Sequence, residues 1–187
     1  RADRSPGEFY QLDFEMSFAT QEDVFKVSEE VIYDTFTKFS DKKVSSKPFV
    51  KIPYSEAMLK YGSDKPDLRN PLEIVDITDI FENSGFAAFE GKVVRSITVP
   101  DMASRPRKFF DKMQDFALEI GMKGLGYIKV GENGEFSGPI NKFIPDEKRA
   151  VLTERCSIKP GCVVYFIADE AKKVAKFAGQ IRTELGK

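Results

Sequence analysis

The chain contains no histidine and no tryptophan. Without histidine, Ser-His-Asp and Cys-His catalysis and histidine-ligated metals are excluded. Cysteine is scarce: Cys156 and Cys162 are the only two, too few thiolates for a Cys-only structural zinc site. Two cysteines among 187 residues do not make a stapled secreted scaffold. The segment Cys156-Ser-Ile-Lys-Pro-Gly-Cys162 reads as a turn entering a strand with buried thiols, which fits a reducing, cytoplasmic compartment. No apolar run approaches the ~20 residues of a membrane-spanning helix, so no membrane partner is expected. Charge of one sign is not in excess either. Lys plus Arg count 29 against 30 Asp plus Glu, a net charge of −1. That balance excludes a generally basic nucleic-acid binder and leaves room only for a local patch.

What remains is 41% hydrophobic and 32% charged, enough to bury a core. Residues 9–18 alternate with period two. Tyr10, Leu12, Phe14, Met16 and Phe18 share one face, and Gln11, Asp13, Glu15 and Ser17 share the other. This predicts a strand whose polar face carries two carboxylates. That face is either simply solvated or the floor of a polar pocket in an antiparallel sheet. Thr20 suits a helix N-cap, and Val24, Val27, Val31, Phe36 and Phe39 recur at helical spacing as expected core positions. A short helix over 54–61 stops at Gly62, and Tyr61-Gly-Ser-Asp-Lys-Pro-Asp-Leu-Arg-Asn-Pro71 reads as a loop that divides the chain.

Beyond it the chain has a full set of elements. A short helix is expected at 79–83, with strands at 86–89 and 92–99. Next come a helix over 105–120 with Phe109, Met113, Phe116 and Ile120 on one side, a strand over 125–130, and a hairpin-type turn. A helix over 145–156, a nearly all-apolar and therefore central strand over 162–168, and a helix over 170–185 complete the set. Strands and helices mix without a βαβ repeat, so the fold class is α+β with a mostly antiparallel sheet. Gly121-Met-Lys-Gly-Leu-Gly126 lacks the G-x-G-x-x-G spacing and follows a helix, so it is a helix end rather than a dinucleotide loop. Lys172, Lys173 and Lys176 form a small basic face, open to a solvated or a nucleic-acid-contacting reading.

Two stretches carry a family resemblance. Arg1-Ala-Asp-Arg4 with Pro6, Glu8-Phe9 and Gln11-Leu-Asp13-Phe-Glu15-Met-Ser-Phe18 resembles the second half of motif 2 of bacterial aspartyl-tRNA synthetases. Tyr61-Gly-Ser-Asp-Lys-Pro-Asp-Leu-Arg69 resembles the linker that follows it in those enzymes. From about residue 72 onward, Gly124-Leu-Gly-Tyr-Ile-Lys-Val, Pro139-Ile-Asn-Lys-Phe and Ala168-Asp-Glu-Ala-Lys-Lys-Val-Ala resemble their insertion module, the GAD domain. The module also occurs in a subunit of a tRNA-dependent amidotransferase.

The resemblance implies residues 1–71 as a piece of the class II antiparallel catalytic domain. It implies residues 72–187 as a GAD domain, a two-layer sandwich of sheet and helices. It implies an aspartate–tRNA ligase, homodimeric, that activates L-aspartate with ATP and Mg2+ and transfers it to the 3′ end of tRNA. Under it Asp13 pairs the substrate ammonium and Gln11 lies by the activated carboxylate, which lifts the pocket reading of the polar face above the solvated one. Arg1, Arg4 and Ser5 belong to a loop meeting ATP and the tRNA acceptor end. Ser5 stands where some members carry a glutamine, and Gly7 is an extra residue in that loop. The remaining catalytic motifs and the anticodon-binding part have no counterpart in the sequence. The chain also opens on Arg1 rather than Met, so an excised and inactive fragment of that enzyme is expected. The alternative is a GAD module that braces its neighbours or contacts tRNA.

Overall fold

The computed structural model describes residues 7–187. They fall into two compact units that divide between Lys51 and Ile52.

In the first unit, α1 (Gln21–Phe39) starts at a capping box. The Thr20 hydroxyl accepts from Asp23 N at 3.4 Å, and Asp23 Oδ2 accepts from Thr20 N at 2.8 Å. These bonds satisfy orphan donors of the first turn. The Thr20 hydroxyl and N–H hold the Asp23 carboxyl below its ordinary range. Two expectations fail here. Residues 9–16 belong to no strand. A strand is held by its ladder, and among the described residues this unit offers no second strand to pair with. The apolar positions of α1 are also not core. None of its residues is buried, and Phe36 and Phe39 are 56% and 78% exposed. One helix and one extended segment cannot enclose each other; Phe14 and Met16 border only a small hollow beside Val24, Val27 and Val31.

The second unit comprises α2 (Tyr54–Lys60), β1 (Ile74–Asp76), α3 (Thr78–Phe81), β2 (Val93–Val99), α4 (Arg107–Glu119), β3 (Gly126–Val130), β4 (Phe136–Ser137), α5 (Asp146–Arg155), β5 (Val163–Asp169) and α6 (Ala171–Leu185). The five strands form one sheet in the order β1-β2-β5-β3-β4. Every pairing is antiparallel, with Ser96 opposite Phe166 and Tyr127 opposite Tyr165. The expected α+β class with an antiparallel sheet is therefore present. The apolar run Val163–Ile167 sits at the centre, fully covered. The short strands β1 and β4 at the two edges were not legible in the pattern.

Alternation along β5 divides two cores. Val163, Tyr165 and Ile167 face the layer made by α4 and α6, against Phe110, Met113, Val174, Ala178 and Ile181. Val164 and Phe166 face the other way, toward Ile80, Phe81, Phe89, Ile140 and Leu152 from α3, α5 and the connecting segments. The expected two layers thus carry a further cover of shorter elements, which a strand apolar on both sides requires. The stripe that α4 buries is Phe110, Met113 and Ala117, with Phe109, Phe116 and Ile120 flanking it. Residues 86–89 are a turn, not the expected strand: Phe86 O accepts from Phe89 N at 2.8 Å. The turn frees both rings to plug the sheet face, Phe86 stacking on Phe143 and Phe89 meeting Phe81 edge-on. Both thiols are buried, Cys156 Sγ lying 3.2 Å from the buried Ser96 hydroxyl. Burial pushes both thiols above their ordinary pKa. No helix among the described residues is long and apolar enough to cross a membrane.

Candidate functional site

The polar face expected to bind substrate lies on the extended segment before α1. Gln11 and Asp13 are both exposed, as is Glu15 between them and the turn at Ser17–Phe18. Among the described residues, no hydrogen bond or ion pair engages the Gln11 amide or the Asp13 carboxylate, and the intervening Leu12 is 78% exposed. By chemistry a carboxylate suits an ammonium and an amide suits a carboxyl oxygen. Arg1, Arg4 and Ser5 lie outside the described residues. Behind the segment, α1 is tied to the strand-like stretch that follows it. Glu29 Oε2 accepts from Phe49 N at 2.6 Å, and Lys51 pairs with Glu22 while its ammonium sits over the Phe25 ring.

The Tyr61–Pro71 stretch, read as a loop that divides the chain, is held fast. Gly62 has φ +65, and its main chain lies on α6 so closely that a Cβ on Gly179 would come within 2.5 Å of Gly62 O. A glycine inside a helix costs about 1 kcal/mol relative to alanine, and here that cost permits the contact. Arg182 completes the attachment. It is 3% exposed, with its Nε donating to Leu72 O at 2.6 Å and its Nη2 donating to Asn70 O at 2.6 Å and Asp67 O at 3.1 Å. The Tyr61 ring lies 4.9 Å from the guanidinium. Asn70 Nδ2 donates back to Arg182 O at 2.9 Å. Among the described residues no carboxylate forms an ion pair with this cation, and burial lowers its pKa against the weaker pull of Asp67 and Glu73 nearby. Carbonyl dipoles and a ring face hold it instead. At the tip of the stretch, the Arg69 guanidinium and N–H hold the Asp67 carboxyl down to about 2.

Arg182 escaped the sequence reading, which noticed the lysines of the same helix. The signal was its place on the apolar stripe of α6, between Ala178 and Leu185, where a charge has to find a partner. Of the noticed lysines, Lys173 pairs with Glu170 at 3.3 Å, and all three are exposed.

The family model described as tRNA synthetases class II (D, K and N) matches residues 1–184. The chain belongs to that family. Over 191 aligned residues this class II synthetase chain is 56% identical to the aspartate–tRNA(Asp/Asn) ligase of Rickettsia conorii, covering 100% of the present chain and 32% of that protein. It is 52% identical over 191 residues to the corresponding ligase of Rickettsia prowazekii, with the same coverage. To the aspartate–tRNA ligase of Streptomyces coelicolor it is 54% identical over 187 residues, again 100% of this chain and 32% of the relative. The chain thus spans about a third of the length of the curated relatives it matches.

Proposed function

We propose that this chain is part of an aspartate–tRNA ligase, which activates L-aspartate with ATP and transfers it to the 3′ end of tRNA. The observation that carries the reading is identity of 52–56% to proteins of that name along the whole chain. The exposed Gln11 and Asp13, on the stretch that resembles motif 2, support it.

In this reading Asp13 pairs the α-ammonium of aspartate and Gln11 donates its amide to the carboxyl group that reacts. Fixing both ends of the amino acid presents a carboxylate oxygen to the α-phosphate of ATP, supplied as its Mg2+ complex. The new O–P bond forms as the bond from the α-phosphorus to the bridging oxygen breaks, pyrophosphate leaves, and the adenylyl group stays on aspartate until the tRNA 3′ end displaces it as AMP. The gain is one of orientation. Arg1 and Arg4 supply cations for phosphates or for the tRNA acceptor end, with Ser5 beside them. Residues 1–71 act as catalytic-domain sequence and residues 72–187 as the GAD insertion domain, although the compact unit begins earlier, at Ile52. The full enzyme works as a cytoplasmic homodimer. The present chain, lacking two thirds of the relatives' length, does not aminoacylate by itself.

The family model spans D, K and N members. ATP–pyrophosphate exchange by the full-length protein, driven separately by aspartate, lysine and asparagine, tests the choice. Exchange with aspartate alone is expected; exchange with lysine or asparagine and none with aspartate overturns the proposal.

A further inference from the structure

A cavity of about 410 Å3 opens on the second unit beside α4 and the start of β3. It does not involve Gln11, Asp13 or the Tyr61–Pro71 stretch. Its floor is apolar, made by the buried Phe89, Phe110, Leu125, Ile140 and Phe166. One wall runs along Gly124 and Gly126, whose missing side chains let neighbours pack close: a Cβ on Gly126 would meet the Ile140 side chain at 2.7 Å, and one on Gly124 would meet Gln114 Nε2 at 3.3 Å. The volume suits a ligand of about one nucleotide.

The polar groups around it are few. The half-buried Lys92 donates from Nζ to the Ala88 carbonyl at 2.7 Å, and Lys123 stands exposed at the mouth. Among the described residues neither lysine forms an ion pair. Arginines elsewhere on this unit do, such as Arg95 with Asp76 at 2.7 Å and Arg155 with Asp79. The one carboxylate at the cavity, Asp111, has its own cation in Arg107 at 3.8 Å. Gln114 accepts from Leu125 N through Oε1 at 3.0 Å, which leaves its Nε2 to donate. Two uncompensated ammonium groups at the rim of an apolar hollow match a dianion attached to an apolar body. A carboxylate, with a single charge, would leave one lysine unmatched.

We propose that this cavity binds a phosphate monoester of an aromatic or nucleoside alcohol, with the dianion between Lys92 and Lys123 and the body on the Phe89–Phe166 floor. Gln114 Nε2 orients the ligand. The proposal does not rest on the aspartate-activating reading, and its failure leaves that reading intact.

The test is a chemical-shift titration of the 187-residue chain with adenosine 5′-monophosphate, phenyl phosphate, inorganic phosphate and adenosine. The two esters are expected to bind below millimolar and to shift the amides of residues 88–92 and 123–127. Inorganic phosphate and adenosine are expected to bind at least about tenfold more weakly, since each uses half of the site. The double variant Lys92→Gln, Lys123→Gln should bind the esters at least about tenfold more weakly with its other resonances unmoved, while Lys176→Gln should bind them like the parent chain. A short 5′-phosphorylated single-stranded RNA distinguishes the source. Tighter binding than the mononucleotide assigns the site to an RNA end, and equal binding assigns it to a free nucleotide. No shift at millimolar ester, inorganic phosphate binding as tightly as the esters, or an unaffected double variant overturns the proposal.

Discussion

Replacing Arg182 with methionine keeps the aliphatic stem in the α6 stripe and removes every donor. Three carbonyls, those of Asp67, Asn70 and Leu72, lose a partner at 2.6–3.1 Å. Hydrogen bonds to a charged group contribute about 1.5–3 kcal/mol each, a gross sum of about 4.5–9 kcal/mol. Against this stands the several kcal/mol spent in taking the guanidinium out of water. A net destabilisation of about 2–4 kcal/mol is expected, the range for breaking a buried polar network. Guanidinium chloride unfolding of the second unit measures it, and trypsin locates it. In the parent chain the first tryptic cuts among the described residues are expected at Lys42 or Lys43, where the chain has neither helix nor strand. In Arg182→Met a new early cut should appear after Arg69, because the released stretch can enter the protease (Lys65 precedes Pro66 and is not a site). An unchanged midpoint together with continued resistance at Arg69 would show that Arg182 does not hold the Tyr61–Pro71 stretch.

Phe166→Ala should cost about 3–5 kcal/mol. Phe166 is 1% exposed and packs edge-on against Phe81 at 5.6 Å; a loss under about 1 kcal/mol in the same unfolding assay would deny it a core role. The Asp67 carboxyl, lowered to about 2 in the fold against about 3.9 in an unfolded chain, stabilises the turn above the unfolded value. That contribution should fade as pH falls through about 2, which carboxyl carbon chemical shifts would follow. Cys156 and Cys162, buried with raised pKa values, should react with a thiol reagent at pH 8 far more slowly in the native chain than in denaturant. Equal rates would show that the thiols are accessible.

The second unit was largely legible because its signals are local. The unbroken run Val163–Ile167 announces a central strand, and the helices of 105–120 and 170–185 declare themselves by apolar period. Residues 9–18 show the limit. Their period-two pattern is as clean as any in the chain, yet a pattern reports only a tendency, and pairing needs a partner strand. Phe86–Phe89 misled for another reason: aromatic residues favour strands and also fill hollows against a sheet, and Gly85 and Gly91 on either side favoured turns. At the candidate site, the pairing of Gln11 with Asp13 came from alternation and family resemblance together. The attachment of Tyr61–Pro71 depends on Arg182, more than a hundred residues away, and no local pattern announces such a contact.

Asp13 is the residue on which substrate binding turns in the proposed ligase. In the full-length protein, Asp13→Asn is nearly isosteric and removes the charge that pairs the substrate ammonium. Losing one partner of such a pair costs about 2–5 kcal/mol. Aspartate-dependent ATP–pyrophosphate exchange should therefore fall by about a hundredfold. The aspartate KM should rise, while Tm stays within a degree or two of the parent's, because Asp13 is exposed and has no hydrogen bond or ion pair among the described residues. Exchange at the parent's rate and KM would contradict the account and leave Asp13 a solvated residue.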